Sequence, residues 1–302
     1  MTRWLLAGAS GFLGTALRVR LADEGNEVVR LVRREPATAT EFAWDPDRGE
    51  LDKRALEGVD VVVNLAGAGV ADWWWTNKRR ELILSSRVNT TATLASALAD
   101  RAGTGEAPVL IQASGISVYG TEPSAEPHTE DSAAALDYLA QVVVHWEAAT
   151  QAAVTAGVRV VILRTSPVMD RRGGPLQLMK LPWSFGLGAK LGDGQQWMPM
   201  IGLEDYLRVV CWAAANPDAA GVYNVTLPEP ATNAEFTEAL AAALRRPSFL
   251  AAPVFIVRTV LGELADQLVG DIHAVPDRLT REGFTFVAPD VRATIESALG
   301  RA

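Results

Sequence analysis

The sequence contains almost no cysteine and no long apolar run. Its single cysteine, Cys211, cannot form an internal disulfide, and the surrounding "VVCWAAA" predicts a buried helix in which the thiol packs as a small hydrophobic group. The apolar stretch in "MTRWLLAGASG" is interrupted by glycine well before it reaches the length of a signal peptide or a membrane span. We therefore expect a soluble, cytoplasmic protein with no membrane partner.

An excess of positive charge is also missing. The 302 residues include 28 Lys and Arg against 36 Asp and Glu, which gives a formal net charge of -8. This balance disfavours a nucleic-acid partner, although a local basic patch can still bind a phosphate. Histidine is scarce as well: His128, His145 and His273 are widely spaced and have no cysteine neighbours, so the sequence predicts no metal site.

What the sequence does contain is a regular alternation of apolar runs and segments of helical period. The runs are "WLLAGA", "EVVRLV", "VDVVVNLAG", "PVLIQAS" and "VRVVILRTS". Near-continuous Val, Ile and Leu strands that alternate with helices are typical of an α/β protein with a Rossmann-type doubly wound parallel sheet. The stretch "TEFAWDPDRGELD" has an Asp-Pro turn and a glycine between strand-like residues, which predicts a small hairpin after the second strand.

The alternation lapses after residue 165, where Gly, Pro, Trp and Met become frequent. We predict a cofactor domain at residues 1–165, resumed across about 201–226, and a smaller substrate-binding region made of residues 166–200 and 227–302. Several tryptophans either line an apolar substrate pocket or pack between the two regions; they are Trp73, Trp74, Trp75, Trp183 and Trp197. The sequence does not indicate an oligomeric state.

A glycine-rich loop lies directly between the first strand and the first helix. In "LLAGASGFLG" the glycines have a G-x-x-G-x-x-G spacing, which suits a tight turn, a close approach to a pyrophosphate and close packing of helix on strand. The helix that begins near Phe12 would direct free N–H groups at the phosphates. The loop predicts a dinucleotide site, with a purely structural turn as the alternative. Its residues are Gly8, Ser10, Gly11, Phe12, Leu13 and Gly14.

Two arginines stand at the end of the second strand, where NAD-specific proteins carry an acidic residue for the ribose 2′-hydroxyl. Val32 occupies that position here and is followed by Arg33 and Arg34. A 2′-phosphate needs cationic, forked donors, which arginine supplies and a carboxylate would repel. The sequence therefore favours NADP(H), with Arg33 as the stronger candidate. Alternatively, the arginines form a solvated strand end whose field Glu35 weakens.

The loop after "VDVVV" is a further predicted cofactor contact. It would bring Leu65, Ala66 and Gly67 beside the adenosine side of the cofactor. Small residues suit that close approach, although tight packing alone would also select them.

These motifs resemble the extended short-chain dehydrogenase/reductase superfamily and, more narrowly, its atypical subgroup of sugar-nucleotide epimerase-like proteins. The resemblance covers nearly the whole chain. It is carried by "GASGFLG", "WDPDRGELD", "NLAGAGVADWWWTNKRRELILSSRVNTT", "SVYG", "HWEAA", "LRTSPVM", "VLGELADQLVGD" and "VPDRLTREGFTF". It implies NADP(H)-dependent oxidoreduction or epimerisation of a small molecule, such as a sugar nucleotide or a carbonyl compound. A sensor that binds NADP(H) without turnover is the alternative.

The resemblance also implies a catalytic serine after the fifth strand and a Tyr-x-x-x-Lys pair on the next helix. The tyrosine acts as acid or base, and the lysine lowers its pKa. Here "ASGISVYG" offers Ser114 and Ser117, and "DYLAQVVVHWE" offers Tyr138, with Val142 where the lysine should stand. Because valine supplies no charge, a tyrosine with a reference pKa of ~10 stays protonated near neutral pH. Ser114 alternatively satisfies a local turn.

A second departure from the superfamily pattern lies in "SSRVNTT", where the structural asparagine falls near Arg87. This arginine either reaches the cofactor or a substrate anion, or forms a salt bridge on the helix surface. The missing lysine favours the sensor, whereas the retained serine, tyrosine and tryptophans favour an enzyme.

Overall fold

The computed structural model describes residues 1–70, 75–105, 107–186, 188–248, 250–253, 255, 259 and 270–300. The strands in these residues are β1 (Arg3–Ala7), β2 (Glu27–Val32), β3 (Glu41–Asp45), β4 (Glu50–Leu51), β5 (Val61–Asn64), β6 (Val109–Gly115), β7 (Val160–Thr165), β8 (Val168–Met169), β9 (Ala189–Leu191), β10 (Ile201–Gly202), β11 (Gly221–Val225) and β12 (Leu250–Ala252). The helices are α1 (Phe12–Asp23), α2 (Asn77–Ala102), α3 (Tyr138–Ala148), α4 (Gln151–Thr155), α5 (Leu176–Met179), α6 (Leu181–Ser184), α7 (Leu203–Ala215), α8 (Asn233–Leu244), α9 (Asp277–Arg281) and α10 (Val291–Ala298).

Eight strands form one sheet in the order β11-β7-β6-β5-β1-β2-β3-β4. Every neighbouring pair is parallel except β3 and β4. The register places Leu5 of β1 between Val29 and Val62. The predicted Rossmann-type doubly wound parallel sheet is therefore confirmed.

Helices cover both faces of this sheet, which explains why its strands are apolar without alternation. Along β1, Leu6 belongs to a core that includes Leu17 of α1 and Tyr206 of α7. Its neighbour Leu5 belongs to a second core that includes Leu94 of α2. Successive side chains of a strand point to opposite faces, so both faces must be apolar when both are covered.

The hairpin predicted after the second strand is present as β3 and β4. It pairs Trp44 with Leu51 in antiparallel register, while β3 also pairs in parallel with β2. The Asn89 side chain of α2 donates to the Asp47 carboxylate at 2.9 Å, which holds the hairpin turn against that helix. The hairpin thus forms the edge of the sheet beside the carboxyl end of β2.

The chain after β7 returns to the sheet once, as the edge strand β11 beside β7. The short strands β8 and β10 form one separate two-stranded sheet, and β9 and β12 form another. Helix α8 begins with a capping box between Thr232 and Glu235. The division of the chain into a cofactor domain and a substrate region stays a prediction.

The C-terminal residues contact the segment that follows β6. The His128 backbone N–H donates to the His273 carbonyl at 2.6 Å, and the Val275 N–H donates to the His128 carbonyl at 3.0 Å. Asn224 of β11 adds a side-chain hydrogen bond to the Val275 carbonyl at 3.0 Å. The two ends of this contact come from distant parts of the sequence.

Helix α7 carries Cys211, which is half-buried rather than fully buried as the sequence predicts. Burial still raises the pKa of its thiol. Among the helices of the described ranges, none is long and apolar enough to cross a membrane.

Candidate cofactor and active site

The three glycines of the glycine-rich loop have different surroundings. Gly8 has φ +78°, and a Cβ there would lie 2.7 Å from the Leu65 backbone. A Cβ on Gly14 would lie 2.2 Å from the Gly8 carbonyl oxygen. A Cβ on Gly11 would meet only that same oxygen, at 3.4 Å. Gly8 and Gly14 are therefore required by packing, whereas Gly11 faces open space.

Within the described residues, no side chain caps the N-terminus of α1. Gly11 is the N-cap and supplies no side chain, and the first turn contains no acidic residue. Ser10 and Gly11 are exposed, while Phe12 and Leu13 are half-buried. The first N–H groups of a helix have no partner inside the helix, so this end favours an anionic ligand.

The loop after β5 lies directly against the glycine loop. The Leu65 N–H donates to the Ala7 carbonyl at 3.0 Å, and the Ala66 N–H donates to the Asn64 side chain at 3.1 Å. Gly67 follows and lies beside the Arg87 side chain. The structure thus brings together the predicted residues of both loops at the carboxyl edge of β1 and β5, where open α/β sheets bind ligands.

The two predicted arginines after β2 have different surroundings. Arg34 forms a two-pronged ion pair with Glu41, at 2.9 and 2.7 Å. The hydrogen bonds from Arg34 and from the Ala37 N–H lower the pKa of the Glu41 carboxyl to about 2. Arg33 is exposed and, within the described ranges, forms no ion pair. Arg33 therefore has the more available guanidinium, because Glu41 occupies the fork of Arg34, and the cofactor contact of both arginines stays a prediction.

An open groove of about 520 Å³ lies between the end of β2 and the β3–β4 hairpin. Its lining includes Val32, Arg33, Trp44 and Leu51. Glu35 also lines the groove, as do Asp45, Glu50 and Asp52, which each accept a hydrogen bond from a neighbouring residue of the hairpin or of the turn after it. Their charge is thereby partly compensated.

Ser114 is not a free hydroxyl. It is the penultimate residue of β6 rather than a residue after the strand, and it is 5% exposed. Its hydroxyl donates to Glu147 Oε1 of α3 at 2.6 Å. The same carboxylate pairs with Arg164, at 2.9 Å from both Nε and Nη2. Because Arg164 stands opposite Ser114 in the buried β6–β7 register, this arginine needs the carboxylate, and the serine completes its coordination.

The polar cluster extends from Arg164 to β11. Arg164 Nη1 donates to the Tyr119 hydroxyl at 3.0 Å, and that hydroxyl lies 2.8 Å from the Asn224 Oδ1. Burial raises the pKa of Tyr119. The Glu130 carboxylate accepts from the Asn224 backbone N–H at 2.9 Å. This cluster is not among the features predicted from the sequence. The sequence feature that indicates it is Arg164, a charged residue inside the apolar strand "VVILRT".

Tyr138 is the first residue of α3, and its hydroxyl donates to the Arg80 carbonyl of α2 at 2.6 Å. The Arg80 guanidinium lies 4.7 Å from the Tyr138 ring centre, and Trp75 meets the ring edge-on. Val142 follows one turn later and is buried. Ser114 and Tyr138 therefore contact different partners, one on α3 and one on α2.

Ser117, the second serine of the segment, lies beside Gly115. Its hydroxyl would be 3.2 Å from a Cβ added there, and Val143 Cγ2 would be 3.4 Å from the same atom. Within the part of the chain that the structure describes, this half-buried hydroxyl has no hydrogen-bond partner.

The remaining sequence candidates are aromatic or basic. Trp183 is buried, Trp197 stacks on His273 at 4.1 Å, and His128 stacks on Tyr119 at 4.8 Å. Trp73, Trp74 and the stretch "VLGELADQLV" lie outside the described residues. In the described ranges, no three His, Cys, Asp or Glu side chains are grouped as metal ligands.

Residues 4–226 match the NAD dependent epimerase/dehydratase family. The chain belongs to this family. Residues 252–298 match a domain of unknown function, DUF1731. The family resemblance carried by the sequence motifs is confirmed.

Similar family members cover nearly the whole chain. Epimerase family protein Mb2239 of Mycobacterium bovis is 42% identical and covers 98% of this chain and 96% of its own. The crystal structure of human epimerase family protein SDR39U1 (isoform 2) with NADPH has a TM-score of 0.87 at 30% identity and covers 100% of both chains. The nucleoside-diphosphate sugar epimerase from Corynebacterium glutamicum has a TM-score of 0.80 at 31% identity and covers 99% of this chain and 58% of its own.

Proposed function

We propose that this epimerase-family protein binds NADP(H) at the carboxyl edge of its sheet and acts as an oxidoreductase or epimerase on a small molecule. The observation that carries the proposal is the open space at Gly11 in front of the uncapped end of α1. There the backbone N–H groups can hold a pyrophosphate. Bound NADP(H) supplies or accepts a hydride. The NADPH in the human relative supports the same cofactor here.

Cofactor preference follows from the end of β2. Arg33 has an available guanidinium beside the open groove, so it is the residue that would hold a 2′-phosphate. Arg34 is paired with Glu41 and holds that carboxylate in place. An acidic residue for a free ribose 2′-hydroxyl is missing at Val32.

On the substrate side, the candidate groups are hydroxyls. Tyr138 is the proposed acid or base, and it must exchange its hydrogen bond to the Arg80 carbonyl for one to the substrate. Ser114 is held by Glu147, so its contribution is to keep the end of β6 in place. A sugar nucleotide or a carbonyl compound is the proposed class of substrate.

A sensor that binds NADP(H) without turnover is the second candidate. It is favoured by one observation: both predicted catalytic hydroxyls already donate to protein oxygens, Ser114 to Glu147 and Tyr138 to Arg80. Tight NADPH binding without turnover of any carbonyl compound or sugar nucleotide in a broad screen would support the sensor.

Calorimetry with NADPH and NADH tests the cofactor. We expect the wild type to bind NADPH at least about tenfold more tightly, because a charge-assisted contact to the 2′-phosphate adds 1.5 kcal/mol or more. Arg33→Ala should remove the preference and leave NADH affinity unchanged. Arg101→Ala, which changes an exposed arginine at the end of α2, is the matched control and should retain it. Equal affinity of the wild type for both cofactors would contradict the assignment.

A further inference from the structure

Arg87 has an unusual position for a half-buried arginine. Its side chain passes beside Gly67, where an added Cβ would lie 3.4 Å from Arg87 Cγ. Its guanidinium carbon lies 5.0 Å from the centre of the Trp146 ring. One N–H, on Nη1, donates to the Ile83 carbonyl of the preceding turn at 3.0 Å. The aromatic face and the carbonyl fix the guanidinium next to the loop that follows β5.

Among the described residues, the charge of Arg87 has no carboxylate counter-ion. Burial lowers its pKa to about 10; attraction to Tyr138 opposes this shift, and repulsion from Arg79 adds to it. The group is still protonated near neutral pH, yet among the described residues it forms no ion pair. By contrast Arg164, the other arginine of this edge, is held by Glu147 on two sides. Half-buried cations normally have such a partner, and an unpaired one beside a ligand site is a functional signal.

Helices α2 and α3 run side by side in the same direction. The Arg80 carbonyl accepts from Tyr138, and the Thr91 hydroxyl accepts from the Trp146 indole at 3.0 Å. Arg87 lies between these two contacts along α2. Its guanidinium therefore lies against α3, over the Trp146 ring.

The middle of α3 carries Val142, the position at which the family pattern predicts a lysine. Arg87 in turn stands where the same pattern predicts an asparagine. The two departures thus lie on helices that contact each other: α3 lacks a cation at Val142, and α2 supplies one at Arg87. They are explained together if the site keeps one positive charge and takes it from α2.

We propose that Arg87 is an anion-binding residue of this site, and that its guanidinium takes a phosphate or carboxylate group of a molecule bound over the loop at residues 65–67. The inference rests on the proposed cofactor site. The donors of Arg87 that remain after the bond to Ile83 can form charge-assisted hydrogen bonds to such an oxyanion. The oxyanion belongs either to the cofactor pyrophosphate or to the substrate.

The test compares Arg87→Gln, Arg87→Lys and the control Arg101→Gln, which changes an exposed arginine at the end of the same helix. If the pyrophosphate is bound, Arg87→Gln weakens NADPH binding by about 10- to 100-fold. Binding of adenosine 2′,5′-bisphosphate, which lacks the pyrophosphate, is then unchanged. Arg87→Lys keeps the charge and recovers part of the loss, and Arg101→Gln behaves as wild type.

If the substrate supplies the oxyanion, Arg87→Gln binds NADPH normally. Inorganic pyrophosphate added to the NADPH-saturated protein then raises the Tm of the wild type but not of Arg87→Gln. In either case the Tm of ligand-free Arg87→Gln stays equal or rises, because an unpaired half-buried charge is removed. A lower Tm with unchanged binding of both NADPH and pyrophosphate would show that Arg87 only packs on Trp146, and would overturn the proposal.

The same experiment separates this inference from the proposed function. A wild type that binds no NADPH refutes the cofactor site, while pyrophosphate binding to the cofactor-free protein still decides the role of Arg87. A wild type that binds NADPH, together with an Arg87→Gln variant that binds both probes equally well, refutes the role of Arg87 alone.

Discussion

At the scale of single residues, the Glu147 carboxylate joins two functions at the end of β6. It neutralises the charge of Arg164, which would be unfavourable in a buried position without a partner. Burial lowers the pKa of Arg164, but the hydrogen bond and the negative charge of Glu147 raise it overall. It also accepts the Ser114 hydroxyl at 2.6 Å. Serine at this position therefore stabilises an ion pair, whereas the Tyr138 hydroxyl of α3 donates to a backbone carbonyl of α2.

We expect Tyr138→Phe and Ser114→Ala to affect different quantities. Tyr138→Phe should lower kcat by about 100-fold or more, as loss of a general acid or base does, with little change in stability. Ser114→Ala should lower the free energy of unfolding by about 1.5–3 kcal/mol, since one hydrogen bond to a carboxylate is lost while the ion pair remains.

Turnover of a carbonyl substrate found by screening, together with urea unfolding, measures both effects. Activity of the wild type should rise under alkaline conditions if Tyr138 must ionise, because Val142 supplies no charge. Equal turnover in Tyr138→Phe and wild type would exclude the tyrosine as the acid or base.

At the scale of elements, β1 and α1 are joined by the glycine-rich loop, in which the free space at each glycine determines whether a side chain fits. Gly8 and Gly14 approach backbone atoms more closely than a side chain permits. Gly11 has extended backbone angles that any residue can adopt, φ -71° and ψ 174°. Two glycines of the motif are thus needed by the fold, whereas the fold does not require a glycine at position 11.

We therefore expect Gly11→Val and Gly14→Ala to fail in different ways. Gly11→Val should fold with a Tm close to that of the wild type but lose NADPH affinity by about 100-fold or more, because the branched side chain fills the space in front of α1. Gly14→Ala should lose about 1–3 kcal/mol of stability, because its methyl group would collide with the Gly8 carbonyl oxygen. Thermal unfolding and calorimetry on both variants check this; normal NADPH binding by Gly11→Val would show that the loop is only structural.

The elements could be predicted from the sequence because each depends on local pattern. Apolar runs marked β1, β2 and β5, and the glycine spacing marked the loop before α1. The partners of Arg34 and Ser114 could not be predicted in this way. Glu41 reaches Arg34 because β3 pairs with β2, and Glu147 reaches Ser114 because α3 packs beside the sheet. The two-residue strands β8 and β10 are too short to show any period.

At the scale of the whole molecule, Glu130 connects three parts of the fold. Its carboxylate accepts from the Asn224 N–H of β11 and, at 3.3 Å, from the Arg278 N–H at the start of α9. Burial raises the pKa of Glu130, although both backbone donors oppose that shift. The carboxylate therefore joins β11 and the C-terminal segment while carrying a charge that the site disfavours.

Glu130→Ala should lower the free energy of unfolding by about 1–3 kcal/mol, because two buried N–H groups lose their acceptor. Glu130→Gln keeps an oxygen acceptor and removes the charge, so it should be less harmful. Because the folded pKa lies above the unfolded value, protonation favours the fold, and the wild type should gain stability relative to Glu130→Gln as the pH falls from about 7 to about 5. Urea unfolding at both pH values measures the difference. If the stability of the wild type relative to Glu130→Gln fell as the pH was lowered, the pKa of Glu130 would not be raised in the folded state.

The hydrogen bonds of Glu130 reach 94 residues along the chain to Asn224 and 148 residues to Arg278. A growing polypeptide emerges from its N-terminal side, so the glycine loop and the first parallel strands are available early, long before α9 has been synthesised. Contacts between such distant segments also form slowly, because a large loop must close first. The glycine loop and the first parallel strands are thus made first, while the interior beside β11 stays incomplete until the C-terminal segment docks. During that interval the nascent chain has an unfinished sheet edge, which is the stage at which we expect it to depend most on chaperones.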